Sequence, residues 1–254
     1  MSRAFLVLVS VAGVAATAAL GGAQMRRPDP STMSAYVMGI FVKGPEWTSE
    51  RTPRTDSLQA GHLANIRAMA ATGALIGAGP FAGNQGYRGL LIFKDIPLDS
   101  ARALVVRDPA IKNQRLMIEL HRWYAPKGIG EAYAERARRR PDHPDSMIKV
   151  YTAMLLRGSK PAPLDSMAVA KATAGHLGHI LDMMKDGTLL AAGPFFDDSP
   201  TRGICFFSTD SVTAHRLAHE DPAVKAGRLT IEMLPWWTAW GVLPPRSSVR
   251  EMGQ

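Results

Sequence analysis

Hydrophobic and polar positions in the first half of the chain predict a mixed series of strands and helices. Residues Ala35–Val42 alternate loosely and are rich in strand-forming types, whereas Leu58–Thr72 carries apolar residues at helical spacing. Gly73 suits the end of that helix. The remaining predicted elements are strands at Ala74–Ala78 and Gly89–Phe93, a helix near Asp99–Val106 and a cleanly alternating strand at Arg115–Trp123.

The same order of motifs occurs a second time further along the chain. Ala60–Leu63 and Ala174–Leu177 both read Ala-Gly-His-Leu, and Ala78–Phe81 and Ala192–Phe195 both read Ala-Gly-Pro-Phe. Between and after them, both halves carry Gly-x-Leu, Arg-Gly, Asp-Pro-Ala and a matched tryptophan. The period is far longer than the 20–50 residues of solenoid repeats, so each copy is a unit of domain size.

The element order β-α-β-β-α-β is that of a ferredoxin-like α+β unit, with both helices on one face of an antiparallel sheet. The sequence therefore predicts two tandem ferredoxin-like domains that bury their open sheet faces against each other. Along the last strand, Arg115 and Glu119 share the side that would line the space between the sheets. Charged groups placed there need partners or a ligand.

Segments outside the two copies complete the predicted organisation. Residues 1–23 have a positive start, an uncharged apolar run and small residues before the expected cleavage, which is typical of a secretory signal peptide. An uncleaved membrane anchor is the alternative, although the run is short and rich in alanine. We expect an extracytoplasmic protein, periplasmic or secreted, without stable membrane insertion after cleavage. The other predicted segments are an N-terminal linker (24–34), the first domain (35–124), a basic, proline-rich linker (125–146), the second domain (147–240) and a C-terminal surface tail (241–254).

The net charge and the cysteine content limit the binding partners and the covalent or metal sites that the chain can have. The chain has 30 Lys and Arg against 22 Asp and Glu, a formal charge of +8. The basic run Arg136–Arg140 has no aromatic platform or nucleic-acid motif beside it, so we expect a solvated linker and no nucleic-acid partner. Electrostatic binding of an anionic polymer stays open as a third interpretation. The lone Cys205 excludes an intramolecular disulfide and a cysteine-rich metal site.

Three histidines of the second copy, His179, His215 and His219, have no counterpart in the first. His176 with His179, and His215 with His219, stand at helical spacings that can chelate a metal. Such pairs are a weak motif, and exposed helical histidines are common. The sequence therefore predicts no metal and no other cofactor, with a metal site as the open alternative.

The ordered pattern His…Gly-x-Leu…Ala-Gly-Pro…Arg-Gly…Asp-Pro…Glu resembles the YCII-related domain family. It is present twice and covers essentially the whole chain after the leader. The resemblance implies the dimeric α/β-barrel fold, formed here as a pseudo-dimer within one chain, with further oligomerisation left open. It also implies that His62 with Asp108, and His176 with Asp221, are catalytic pairs. The better understood relatives of this family resemble muconolactone isomerase, and one branch eliminates chloride from chlorinated hydroxybenzenes.

A histidine held by a carboxylate suits general acid–base catalysis, because the carboxylate fixes the tautomer and stabilises the imidazolium. No serine or cysteine occupies a matched position in both copies, so a covalent nucleophile is not supported. We expect an enzyme of isomerase or lyase type that acts on a small molecule. The candidate substrate-binding residues are Arg88, Glu119, Arg202 and Glu232.

The main alternative is a non-catalytic module of the same fold that binds a small ligand or another protein. Each histidine follows a glycine near a predicted helix start and could satisfy a local backbone group. Each aspartate precedes a proline, which is common turn chemistry. Geometry separates the two interpretations. Catalysis predicts that each His–Asp pair lies within hydrogen-bond reach and that the pairs are exposed to one shared cavity, whereas a structural role predicts that they are buried and locally satisfied.

Overall fold

A computed structural model describes residues 28–83, 86–142, 145–158 and 166–245. The predicted signal peptide (1–23) lies outside these residues, as do the first part of the N-terminal linker and residues 246–254. Within the described ranges, no helix combines the length and apolar character needed to span a bilayer.

The first half forms a four-stranded antiparallel sheet in the spatial order β2-β3-β1-β4. A short 3₁₀ turn precedes the first strand. The strands are β1 (Met33–Lys43), β2 (Leu75–Pro80), β3 (Tyr87–Phe93) and β4 (Leu116–Pro126). The helices are α1 (Pro53–Ala71), α2 (Leu98–Val105) and α3 (Pro109–Lys112).

The second half repeats this sheet with the order β6-β7-β5-β8, which confirms the predicted tandem of ferredoxin-like α+β units. Helix α4 (Glu131–Arg139) precedes it. The strands are β5 (Met147–Arg157), β6 (Leu189–Pro194), β7 (Thr201–Phe207) and β8 (Leu229–Ala239). The helices are α5 (Ser166–Asp186), α6 (Ser211–Glu220) and α7 (Pro222–Lys225).

Strand alternation divides the buried apolar side chains into an inner layer and two outer layers. In β1, Met38 and Ile40 point toward the other sheet, whereas Val37 and Phe41 point toward the helices. The inner layer holds large aromatic side chains from both halves. Its fully buried aromatic side chains are Trp123, Phe206 and Trp236. The open faces of the sheets are thus buried against each other, as predicted.

The repeated Ala-Gly-Pro-Phe motif joins the edges of the two sheets. The indole N–H of Trp236 donates to the carbonyl of Gly79 (3.0 Å), and that of Trp123 donates to the carbonyl of Gly193 (3.2 Å). A Cβ at Gly79 would lie 1.7 Å from the carbonyl oxygen of Trp237. Only glycine admits this approach, so the motif closes the two sheets into a barrel as well as ending strands β2 and β6.

Three segments differ from the sequence prediction. Helix α1 begins at Pro53 rather than Leu58, because Thr52 and Thr55 form a reciprocal capping box. The predicted linker contains α4, in which two glutamates and three arginines make up most of the nine residues, a composition that predicts a solvated segment. The predicted surface tail is wrong at its start, because Val242 and Leu243 are buried in the inner layer.

Candidate functional site

Glycine at a helix contact brings each predicted histidine to its aspartate. A Cβ on Gly61 of α1 would lie 2.8 Å from the Pro109 ring at the start of α3. In the second half, Gly175 of α5 meets Pro222 of α7 in the same way, also at 2.8 Å. The close approach of the helices therefore depends on the glycine that precedes each histidine, and on the proline that follows each aspartate.

Both predicted His–Asp pairs are formed. Nδ1 of His62 lies 2.6 Å from Oδ2 of Asp108, and Nδ1 of His176 lies 2.5 Å from Oδ2 of Asp221. A carboxylate can only accept, so Nδ1 carries the proton and donates it. The second carboxylate oxygen of Asp108 accepts the N–H of Ala110 (2.8 Å), and this bond caps α3. Each aspartate is thus fixed from two sides; in the second half Asp221 caps α7 in the same manner.

The other ring nitrogen, Nε2, is the atom left for chemistry. The side chains of His62 and His176 are 11% and 21% exposed to solvent, whereas those of Asp108 and Asp221 are 1% and 5% exposed. Neither Nε2 is among the polar atoms that are both buried and unpaired. The edge of Phe41 packs against the His62 ring, with 5.2 Å between ring centres. Each imidazole is therefore held on one side and reachable on the other.

Charge at the second pair favours an ionised carboxylate. Burial alone would raise the pKa of Asp221, but the hydrogen bond and positive charge of His176 and the N–H of Ala223 outweigh burial. The net effect holds the pKa of Asp221 below its usual range. Nearby Cys205 is fully buried, and burial raises the pKa of its thiol, so it is an inert packing group.

Two expectations about the pairs are wrong. Neither histidine is at a helix start, because His62 lies in the middle of α1 and His176 in the middle of α5. The backbone there is already paired within the helix, so a local capping role does not apply. The pairs also do not open onto one shared cavity. His62 lies over the helix-covered face of the first sheet and His176 over that of the second, with both sheets between them.

The predicted glutamates lie on the opposite sheet faces from the histidines. Across the strands, Glu119 pairs with Ile40 and Glu232 pairs with Met154. Ile40 and Met154 point into the inner layer, so the paired glutamates lie on that same face. The pKa of Tyr87 is raised by burial, against a hydrogen bond with Thr201, and the charges of Glu232 and Glu119 add to the rise. The glutamates thus approach a tyrosine between the sheets, and the fold does not bring them to the His–Asp pairs.

The two predicted arginines share one loop contact. Arg202 donates from Nη1 to the carbonyls of Asp197 (2.9 Å) and Ser199 (3.3 Å), which holds the loop between β6 and β7. Arg88 donates from Nη1 to the matching carbonyl of Gly83 (3.3 Å), and its guanidinium carbon also lies 4.3 Å from the centre of the Trp47 ring. The repeat therefore ties both arginines to the loop before their strand.

A third His–Asp pair, which the sequence reasoning missed, links the two halves. Nδ1 of His121 on β4 lies 2.7 Å from Oδ2 of Asp197, and its ring stacks on Phe195 at 4.5 Å. Burial alone would lower the pKa of His121, but the carboxylates of Glu119 and Asp197 outweigh burial and raise it. The available signal was a histidine on the inward side of the last strand, where the second copy has Leu234.

The additional histidines of the second half do not gather around one point. Nε2 of His179 lies 2.8 Å from the carbonyl oxygen of Leu217, and His219 bonds through Nδ1 to the carbonyl of His215. Within the part of the chain that the structure describes, no three His, Cys, Asp or Glu side chains form a group that could hold a metal. The arrangement of these histidines gives the metal alternative no support.

Two surface clefts lie away from the predicted site residues. One, of about 340 Å³, lies along α4 between Tyr133 and Asp145; the other, of about 360 Å³, lies between Ile148 and Trp240. In the basic run, Arg136 pairs with Asp145, and Arg138 and Arg139 both pair with Glu135. These ion pairs leave less free positive charge for an anionic polymer than the sequence alone indicates.

Solved structures share this fold. A candidate chlorite dismutase superposes with a TM-score of 0.51 at 10% identity, covering 87% of this chain and 100% of its own. A mutant chlorite dismutase from Candidatus Nitrospira defluvii gives 0.48 at 11% identity, covering 87% and 96%. A haem-binding protein from Thermus thermophilus gives 0.45 at 17% identity, covering 90% and 100%.

No protein-family model matches the chain, and no curated protein matches it significantly. At 10% identity, the similarity to the candidate chlorite dismutase shows only that the two proteins share a fold. The chain has the dimeric α/β-barrel fold of chlorite dismutase-like proteins, with two ferredoxin-like halves in one polypeptide.

Proposed function

We propose that this protein is an exported small-molecule enzyme in which each half moves a proton with its own His–Asp pair. The reaction class is isomerisation or elimination, as the resemblance to the YCII-related family implies. The observation that supports it is the repeated geometry. In both halves a nearly buried carboxylate holds Nδ1 of the histidine and leaves Nε2 reachable.

The geometry assigns a role to each atom. With its proton on Nδ1, the imidazole has a lone pair on Nε2 that accepts a proton from an activated carbon or hydroxyl of the substrate. The imidazolium then forms beside the aspartate, whose charge stabilises it. In isomerisation the proton returns to a different atom. In elimination the electrons of the broken C–H bond, or of the O–H bond of a hydroxybenzene, form a new C=C or C=O double bond, and the leaving group departs with its own electron pair.

Export is part of the proposal because the charged start, apolar run and small residues of 1–23 have the order of a signal peptide. The compartment we propose is periplasmic or extracellular. The lone Cys205 is compatible with it, because a fully buried thiol is protected from oxidation.

A non-catalytic module is the second candidate, and one observation favours it. The His62 side chain is mostly buried, and its bond to Asp108 also ties α1 to α3. If that tie is the whole purpose of the pair, the histidines stabilise the fold, and a ligand binds without chemistry.

Haem, which one structural neighbour is described as binding, does not fit the described residues. The layer between the sheets is filled by the fully buried side chains of Trp123, Phe206 and Trp236. The layers beside His62 and His176 are filled by buried apolar side chains, such as Met69 in the first half and Met183 in the second. A flat macrocycle would have to displace these side chains, so no step of the proposed reaction uses it.

The test follows the proton directly. Nitrogen-15 NMR of the imidazoles is expected to show the Nδ1–H tautomer for His62 and His176, with Nε2 unprotonated at alkaline pH. In D2O the protein is expected to exchange an activated C–H of unsaturated lactones or to release chloride from chlorinated hydroquinones. His62→Gln with His176→Gln should abolish both activities, whereas His219→Gln on the exposed face should not. An Nε2–H tautomer in both halves would contradict the proposal.

A further inference from the structure

Two arginines and a tryptophan form a cluster at the end of the first sheet where β1 finishes. The guanidinium carbons of Arg88 and Arg115 lie 4.3 Å and 4.6 Å from the centre of the Trp47 ring. Arg88 is at the start of β3, and Arg115 immediately precedes β4. Two positive charges therefore lie against the same tryptophan ring. Cation–π attraction to that ring stabilises such an arrangement only weakly.

The cluster lacks a counter-charge among the described residues. No carboxylate forms an ion pair with either guanidinium, and Nη1 of Arg88 donates only to the carbonyl of Gly83 (3.3 Å). Nε of Arg88 and Nη1 of Arg115 are both buried and without a hydrogen-bond partner. Burial, and then the charge of Arg115, lower the pKa of Arg88. Buried unpaired donors of like charge are costly, and an anion would satisfy both.

One member of the cluster, Trp47, packs against the same apolar layer as the first His–Asp pair. Trp47 packs against the apolar cluster that contains Phe41, and Phe41 contacts the His62 ring. The residue after Arg88, Gly89, pairs with Phe41 across β1 and β3. The N–H of Arg115 donates to the carbonyl of Ala110, whose own N–H is held by Asp108.

We propose that Arg88 and Arg115, supported by Trp47, bind an anionic oxygen group of the substrate at the first-half site. The group is a carboxylate on a flat, unsaturated molecule, because the guanidinium donors match carboxylate oxygens and the partly buried Trp47 ring supplies aromatic surface. The inference rests on the proposed function for its link to His62. The anion site itself stands on the unpaired arginines.

The repeat gives the second half no tryptophan at the matching position, because Trp47 is matched in the sequence by Pro161. Arg88 and Arg202 each donate from Nη1 to a loop carbonyl, so the sequence difference between the halves lies at Trp47. One buried unpaired nitrogen remains in the second half, on Arg228, the counterpart of Arg115. The substrate anion is therefore bound more tightly by the first half, and the two halves differ in affinity.

Benzoate is the probe, because it is a flat aromatic carboxylate, and benzamide is its uncharged match. Calorimetric titration of the protein at low ionic strength is expected to show saturable benzoate binding and at least tenfold weaker benzamide binding. Arg88→Gln and Arg115→Gln should each weaken benzoate by about tenfold or more, since a hydrogen bond to a charged group contributes about 1.5–3 kcal/mol. Lys185→Gln, which removes one exposed positive charge from α5 of the second half, should leave the affinity unchanged.

Several outcomes would overturn the proposal: no saturable benzoate binding, equal binding of benzamide, or unchanged benzoate affinity in both arginine variants. Thermal melts of each variant establish that it is folded, and Arg115→Lys, which keeps the charge but not the planar donors, gives a second measurement. His62→Gln should bind benzoate within about twofold of the original protein, because the histidine is not one of the proposed anchors. If benzoate binds as expected but no proton transfer is found, the proposed function fails while the anion site stands.

Discussion

Asp108 does two things with one carboxylate: one oxygen holds Nδ1 of His62 and the other caps α3. In the second half, one oxygen of Asp221 likewise holds Nδ1 of His176 and the other accepts the N–H of Ala223. An aspartate that only ended a turn would not need to face a histidine in the middle of a neighbouring helix. At the scale of the residue, the contact to a histidine, repeated in both halves, separates these aspartates from ordinary Asp-Pro turn chemistry.

Asp108→Asn with Asp221→Asn tests that pairing. Asparagine keeps an oxygen for the Ala110 N–H, but its NH2 group offers a donor to Nδ1 and favours the Nε2–H tautomer. We expect proton transfer to fall by a factor on the order of 10³–10⁴, the cost of the wrong tautomer in a comparable histidine–carboxylate pair. The measurement is kcat/KM together with the nitrogen-15 tautomer signature. Asp99→Asn, an exposed helix residue, is the control. Unchanged kcat/KM in the double variant would contradict the assignment.

At the scale of the element, the spacing between helices decides whether the pair forms. Gly61 and Gly175 sit against proline rings, whereas Gly178 of α5 has open space where a Cβ would be. All three are helical glycines, so alanine should favour each helix by roughly 1 kcal/mol through backbone propensity. The cost of the contact differs, because a Cβ at 2.8 Å from a proline ring must move a whole helix.

Gly178→Ala should therefore raise the free energy of unfolding by about 0.5–1 kcal/mol. Gly61→Ala should lower it, or leave it unchanged, and should weaken the His62–Asp108 hydrogen bond, because α1 moves away from α3. Urea denaturation measures the first effect, and the chemical shift of the hydrogen-bonded Nδ1 proton measures the second. Equal stabilisation by the two substitutions would show that the Gly–Pro contact does not set the helix spacing.

The sequence predicted the helices and strands well where the apolar periodicity and the repeated motifs agree. It predicted them less well where tertiary contacts determine where an element begins or which residues are buried. The strand order followed from the repeated pattern of apolar and glycine positions, and the His–Asp contacts followed from the resemblance to the YCII-related family. The start of α1 was placed late because Thr52 and Thr55 cap it through side chains rather than through apolar periodicity. The burial of Val242 was missed because its partners come from distant strands.

At the scale of the whole molecule, two short contacts close the barrel. Gly79 and Gly193 lie where the last strand of the other half passes, and a Cβ on either would meet a backbone carbonyl oxygen at 1.7 Å or 1.8 Å. We expect Gly79→Ala to be among the most destabilising single changes, by roughly 3 kcal/mol or more, because backbone on both sides must move. Gly86→Ala, with open space around the new Cβ, is the matched control. Denaturation midpoints that agree for the two variants would contradict this account of closure.

The His121–Asp197 bond makes the contact between the halves depend on pH. The pKa of His121 is raised in the folded protein, so protonation is favoured by folding. Its stabilisation is fully present below the pKa of an unfolded histidine, and it is lost as the pH rises through the folded value. The effect should therefore be largest at mildly acidic pH and absent at alkaline pH.

His121→Leu places in the first half the residue that the repeat has at Leu234. Relative to this variant, the original protein should be stabilised near pH 5 and should lose that advantage by pH 9, because the neutral imidazole leaves its Nε2 buried and unpaired. Denaturant unfolding at a series of pH values measures the difference, with His219→Leu on the exposed helix face as the control. Parallel pH profiles for the original protein and His121→Leu would mean that the charge of His121 does not couple the halves. A profile that converges only at high pH would show that one asymmetric histidine, absent from the repeat, sets how firmly its two copies are joined.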